Sequence, residues 1–525
     1  MSPITAYPVS LHRRVAAAGR RLALLPLALS LVSLPAAAQR LAFAASETYA
    51  LTDTPQDVII EDFDGDGIPD IAVLTSSLTA GSVSVLLGND VAGVPDGTFA
   101  APVESPSQAN AGSLAAGHFN ADSSLDLVVA YQGSNVSVLL GAGDGSFGAG
   151  ADYGTGGSGP GKIAVADFNE DGILDLAVPN TPSNNVGILL GQGSGGMGDG
   201  TFAAAVTYAT GAAPRAVAVA DLDEDGILDL ATVNSTGLNV SVLLGNGSGG
   251  VGDGTFASAV SYATGAAGLA LVTADFDGDD ITDLALQDSG NRLILVLLGQ
   301  GSGGVGDGTF GAPISSPTNL TPRDLAVGDF DGDGLTDLVL VNASNGFSSV
   351  HLAVGDGTFE APRLYQVDRV DATSFPVAVA AADLDGDGAP DFVTGNFSNS
   401  NVSVLRNLGE APAAGFLRLT ELMIDPDQVA DVDGEYFELY NAAAFPIHLL
   451  NWTFEDSNGF RGFLNGAIGP GELFVVGASA DLDGAGFAPD LVPITFPGFG
   501  NTADRLTVRD SSGEIFAELA WSDGN

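Results

Sequence analysis

Asp329-Phe330-Asp331-Gly332-Asp333-Gly334-Leu335-Thr336-Asp337 sets carboxylates at positions 1, 3, 5 and 9 of a nine-residue loop. A tight turn can aim all four at one centre, with the carbonyl of Leu335 at position 7 beside them, a hard-oxygen cage suited to Ca²⁺. Gly332 and Gly334 allow the positive φ such a turn needs. Without a cation, four anions at this range would repel one another strongly. An EF-hand opens in the same way but requires a bidentate Glu at position 12 and flanking helices. Here position 12 is Leu340, and the flanks Leu325-Ala326-Val327 and Leu338-Val339-Leu340 are short apolar β runs, so the loop joins two strands.

The loop recurs with its acids in register. By the same positions the expected ligands are Asp62, Asp64, Asp66, Ile68 (carbonyl) and Asp70; Asp167, Asn169, Asp171, Ile173 and Asp175; and Asp221, Asp223, Asp225, Ile227 and Asp229. They continue with Asp275, Asp277, Asp279, Ile281 and Asp283; with Asp329, Asp331, Asp333, Leu335 and Asp337; and with Asp383, Asp385, Asp387, Ala389 and Asp391. The second copy in chain order, His118, Asn120, Asp122 and Asp126, has Ser123 in place of the glycine, and its site is expected weak or empty. Asn169 and Asp280, the latter at a glycine position, are the departures noted in the other six, so about six Ca²⁺ sites are expected.

First-ligand positions 167, 221, 275, 329 and 383 are 54 residues apart. Each unit reads as a β run (Ala216-Val217-Ala218-Val219), the loop, a second run (Leu230 to Val233) and a third (Val240 to Leu244). A glycine-rich turn then leads to Asp253-Gly254-Thr255-Phe256 and a fourth run ending near Tyr262. Four short strands repeated at this period are the signature of propeller blades. The seventh unit lacks the Asp-Gly-Thr-Phe motif and a fourth run. Phe43 to Ala50 matches Phe202 to Ala209, so the N-terminal strand is expected to complete the last blade and close the ring.

These units resemble the FG-GAP/VCBS repeat family, which includes the β-propeller of integrin α subunits. The resemblance covers residues 42–408 and implies an all-β, seven-bladed β-propeller whose acidic loops bind Ca²⁺. Residues 409–415 have linker composition. Beyond them, β runs from Leu417 to Ile424, Tyr436 to Tyr440, Trp452 to Glu455, Leu473 to Val476 and Leu506 to Val508 follow no 54-residue period. Glu421-Leu422-Met423, Gly434 to Asn441, Leu450-Asn451-Trp452-Thr453 and Gly469-Pro470-Gly471-Glu472 resemble the lamin-tail domain, which implies an immunoglobulin-like β-sandwich over 416–525 with a further closing segment expected after Trp521. Asp481-Leu482-Asp483-Gly484 reads as a surface turn.

Composition narrows the function. The net charge is −49, and residues 1–38 carry four Arg and no acid, so the chain after them is −49 − 4 = −53. Lys162 is the single lysine, which leaves no surface for phosphate backbones and excludes nucleic acid as a partner. No cysteine is present, so disulfides and thiolate chemistry are excluded and bound Ca²⁺ takes the place of a staple. Arg13, Arg14, Arg20 and Arg21, the apolar stretch Leu22 to Leu34 and Ala36-Ala37-Ala38 read as a signal peptide over 1–38, and nothing later is long and apolar enough for a transmembrane helix. A secreted or cell-surface monomer is expected, with the periplasm as an alternative.

No catalytic constellation stands out. His118, His351 and His448 have no nucleophile motif beside them. Gly299-Gln300-Gly301-Ser302-Gly303-Gly304 precedes a strand, not a helix, so it is no phosphate cradle. Two functions remain: a non-catalytic module binding an extracellular protein or glycan, with Ca²⁺ mainly structural; or a secreted hydrolase or lyase acting on polysaccharide or phosphoester, or an accessory subunit of one. Converging His, Arg, Tyr or unpaired carboxylates at the ring centre would favour catalysis.

Overall fold

The computed structural model describes residues 40–77, 81–91, 93–343, 346–368 and 375–411, and beyond these only strands between Leu417 and Ser522. The expected signal peptide, most of the expected linker and the expected turn at Asp481–Gly484 lie outside the described residues.

Seven four-stranded antiparallel sheets follow one another along the ring. Blade 4 is typical: Pro214–Ala220, Asp229–Asn234, Asn239–Leu243 and Val260–Ala263 pair in that order. The second strand of each blade is buried along its whole length, because both of its faces pack against neighbouring blades. First strands of successive blades contact one another, Pro55–Glu61 with Pro376–Ala382 included, so they line the centre and the ring is closed.

Closure follows the expected clasp. Glu47–Ala50 pairs with Asn401–Leu405 in the register by which Val206–Ala209 pairs with Asn185–Leu189: Ala50 opposite Asn401, Ala209 opposite Asn185. The clasp has a second part that sequence reading missed. Between third and fourth strands, blades 1, 3, 4 and 5 carry a two-stranded ribbon, such as Gly245–Gly247 with Gly252–Phe256, where only a turn was expected. In blade 7 that ribbon is assembled from both ends of the ring, Arg40–Phe43 pairing with Asn407–Ala411. The strand thus runs into the stretch that had linker composition.

The strands beyond the ring form antiparallel sheets: Leu417–Met423, Tyr436–Asn441 and Leu473–Gly477 in one, and Trp452–Asp456, Arg461–Leu464, Ala503–Arg509 and Ile515–Ser522 in another.

Candidate metal centre

Every acidic loop links the first and second strands of a blade. In blades 1, 4, 5 and 6 the acids at positions 1, 3 and 5 bring one ligand atom each to within 4.8 Å of one another: Asp62/Asp64/Asp66, Asp221/Asp223/Asp225, Asp275/Asp277/Asp279 and Asp329/Asp331/Asp333. In blade 7 the group so placed is Asp383/Asp385/Asp391. The blade 3 loop has the same internal bonding, with Asp167 accepting from the amides of Asp171 and Gly172.

The turn forms because the first acid binds its own backbone. Asp62 Oδ1 accepts from Gly65 N at 2.7 Å and Oδ2 from Gly67 N at 2.8 Å, with both glycines at positive φ. In the six well-matched loops positions 4 and 6 are left-handed even where they are not glycine: Glu170, Glu224 and Asp280 have φ of 50°, 53° and 65°. Each costs about 1 kcal/mol or more, accepted where the loop geometry is otherwise fixed. Glu170 also reaches the next blade, accepting from Gly252 N at 2.9 Å.

The ninth acid has a role that its place in a ligand set did not reveal. Asp229 Oδ2 accepts from Leu222 N at 2.8 Å and Oδ1 from Gly245 N at 2.7 Å, so one carboxylate ties the loop to the start of the ribbon. Asp70, Asp126, Asp175, Asp283, Asp337 and Asp391 repeat this pair of bonds. Burial pushes Asp70 and Asp229 up to about 6 and Asp175, Asp283, Asp337 and Asp391 up to about 7, against the amide donors that favour the anion.

The donor set fits a hard divalent cation. Oδ1 of Asp223, Asp331 and Asp385, all at position 3, is buried with no hydrogen-bond partner. Burial, and next the adjacent fifth-position acid, hold these carboxyls above the usual range. An orphaned buried carboxylate oxygen is costly unless a cation sits against it. The degenerate second loop meets the same need internally. His118 Nδ1 donates to the carbonyl of Ser124 at 3.0 Å, which is the position-7 carbonyl, and Asn120 Nδ2 donates to Asp122 Oδ2 at 2.8 Å.

At the ring centre the residue five before each loop's first ligand is Asp57, Ser113, Lys162, Ala216, Ala270, Asp324 or Ala378. Lys162 of blade 3 reaches Asp324 of blade 6 at 2.6 Å and Asp57 of blade 1 at 4.0 Å, an ion pair across the central channel. Asp57 Oδ2 also accepts from Leu114 N, and Asp324 Oδ2 from Val379 N. Burial alone would lower Lys162, but Asp324 and then Asp57 outweigh it and hold the ammonium above its ordinary value. His351 is fully buried and pushed down to about 3 by desolvation, which keeps it neutral within its sheet.

The family model for the FG-GAP-like repeat matches residues 62–129, 118–178 and 329–394. No curated protein matches the chain. Among solved structures, BBS1N in complex with ARL6DN is similar at 11 % identity and a TM-score of 0.47, over 70 % of this chain and 97 % of that one. The periplasmic gluconolactonase PpgL of Pseudomonas aeruginosa is similar at 13 % identity and a TM-score of 0.42, over 62 % and 96 %.

Proposed function

From a chain of FG-GAP-like repeats closed into a seven-bladed ring, we propose a secreted, non-catalytic binding module that Ca²⁺ stiffens and that presents its loops to an extracellular protein or glycan. The observation carrying the metal assignment is the orphaned, buried oxygen of Asp223, Asp331 and Asp385. Ca²⁺ at the six well-matched loops neutralises the clustered acids and completes their coordination; the second loop, filled by His118, binds none. The signal-like leader supports export, and the module acts as a monomer. Among the described residues no helix is long and apolar enough to cross a membrane.

The binding role, as against hydrolysis or elimination, draws support from the ring centre. Lys162 is held protonated between two carboxylates and is a poor base, while His351 is buried away from solvent. The C-terminal region, read as a lamin-tail-like sandwich, serves as a second binding or attachment module.

At typical extracellular affinities of roughly 10⁻⁴ M and millimolar Ca²⁺, one site adds about 1.4 kcal/mol, so six add about 8 kcal/mol. Elemental analysis should find about six Ca²⁺ per chain, and EDTA should lower Tm by about 10 °C. An unmoved melting curve would refute the metal assignment. Glycan and matrix-protein arrays with Ca²⁺ present test the binding role, and silence on both refutes it.

A further inference from the structure

The end of the ring opposite the acidic loops holds a depression of about 440 Å³ over blades 1 and 2, with polar and apolar lining, reached by Pro160 of blade 3 and Phe397 of blade 7. Its volume lies within the range of about 300–1,000 Å³ common to small-ligand sites. We propose that this depression binds a neutral glycan; the proposal rests on the binding-module reading above and narrows it to one site and one ligand class.

The first support is where the repeat breaks. Six residues after the ninth acid of the loop, blades 3, 4 and 5 carry Thr181, Ser235 and Ser289; the hydroxyls of Thr181 and Ser289 donate to a carbonyl of the next blade, at Pro214 and Pro322, and that of Ser235 to Ala213 at the start of its own blade. Thr181 and Ser289 staple neighbouring blades, as does Ser76 at the same position of blade 1, whose Oγ accepts from Ala111 N of blade 2. Blade 7 has Phe397 there and blade 2 has Gln132, and both line the depression. Phe397 is 43 % exposed, an aromatic ring left in solvent where a hydroxyl would have served the fold. Its amide is fixed by the carbonyl of Phe375 at 2.8 Å, and the Phe375 ring lies 5.9 Å beneath the Arg323 guanidinium, so the segment is held in place. One residue before Gln132, Tyr131 replaces the Asn found at 180, 234, 342 and 396 and also lines the depression.

The second support is the chemistry of the wall. Gln56, Asn110 and Gln132 bring amides, and Thr54 and Ser76 bring hydroxyls. Asn110 is pinned at φ 58° with its carbonyl accepting from Gln132 N, which sets its side chain on a rigid turn. Among the described residues no cation lines the depression and Asp53 is its one acid, and a chain of net charge −49 repels uronates and sulfated sugars. Amides and hydroxyls around one exposed aromatic face match a sugar ring, which is polar at its edge and apolar on its face. The channel behind is barred, since Asp57 follows Gln56 and Lys162 stands two residues after Pro160. A ligand therefore lies on the face and does not thread the ring.

Native affinity electrophoresis of the full chain in Ca²⁺ buffer tests this, with gels containing a soluble β-glucan, a galactomannan, an arabinoxylan or polygalacturonate. At least one neutral polysaccharide should retard the protein. Phe397→Ala should weaken that retardation at least tenfold and Gln132→Ala severalfold, with Tm unchanged, while Phe397→Tyr should keep it. Retardation insensitive to both alanine variants overturns the site. Retardation by polygalacturonate alone overturns the ligand class. No retardation in any gel overturns the proposal, yet leaves the binding-module reading intact if protein arrays score.

Discussion

Acids of the same type in one loop do different work, and substitution should separate them. Asp229 is 1 % exposed and satisfies two buried amides, so Asp229→Ala leaves Leu222 N and Gly245 N without acceptors. At about 1–3 kcal/mol for each unsatisfied group, the loss should be about 2–5 kcal/mol in urea titrations, with Ca²⁺ or EDTA alike. Asp225→Asn keeps an oxygen for Ile227 N and should cost about 1 kcal/mol in millimolar Ca²⁺ and nothing measurable in EDTA. Equal behaviour of the two variants would contradict this division. His351 stands where Leu189, Leu243, Leu297 and Leu405 stand in other blades. Its folded pKa, about 3, lies below its unfolded value. The neutral ring is therefore fully compatible with the fold above pH ~6.5, and stability is lost as pH falls from there toward 3. His351→Leu should remove up to about 3 kcal/mol of that acid loss, read as a smaller difference between urea midpoints at pH 7 and pH 4.

The ribbons are the elements that join blade to blade. Each Asp-Gly-Thr-Phe phenylalanine packs on the second residue of the preceding blade's loop, giving the edge-on pairs Phe63–Phe147, Phe119–Phe202, Phe168–Phe256 and Phe276–Phe359. The motif's glycine amide donates to that same residue's carbonyl, as Gly254 N does to Phe168 O. At the last junction the split ribbon supplies both contacts from opposite ends of the ring: Phe43 meets Phe330, Tyr365 and Phe392, and Asn407 Nδ2 donates to Phe330 O at 2.8 Å. Phe43→Ala should cost about 3–5 kcal/mol, as Phe256→Ala should. Only Phe43→Ala should also expose the N-terminal strands to limited proteolysis, because their pairing is the clasp. Equal protease resistance in both variants would refute a special role for this junction.

Across the whole molecule the sharpest dependence is on its single lysine. Lys162 keeps 37 % of its side-chain surface while Asp324 keeps 3 %, so losing the cation strands a buried carboxylate. Lys162→Met should lower stability by about 2–4 kcal/mol, below the full penalty of a wholly buried pair because the lysine is partly solvated. Adding Asp324→Leu should recover part of it. A urea midpoint unmoved by Lys162→Met would show that the cross-channel pair carries no weight.

Local spacing fixed a great deal here. Acids at 1, 3, 5 and 9, strands on both sides and a 54-residue period made blades, loops and the completing N-terminal strand legible, because β-alternation and turn chemistry act over neighbouring residues. What the ninth acid binds, what His118 fills, that Lys162 spans the ring and that Gln132 and Phe397 share one depression could not be read that way. Each depends on groups brought together by closing the circle, with Lys162 and Asp324 separated by 162 positions in the chain. Spacing carries local geometry, whereas meetings across a ring are set only when every blade has packed on the next.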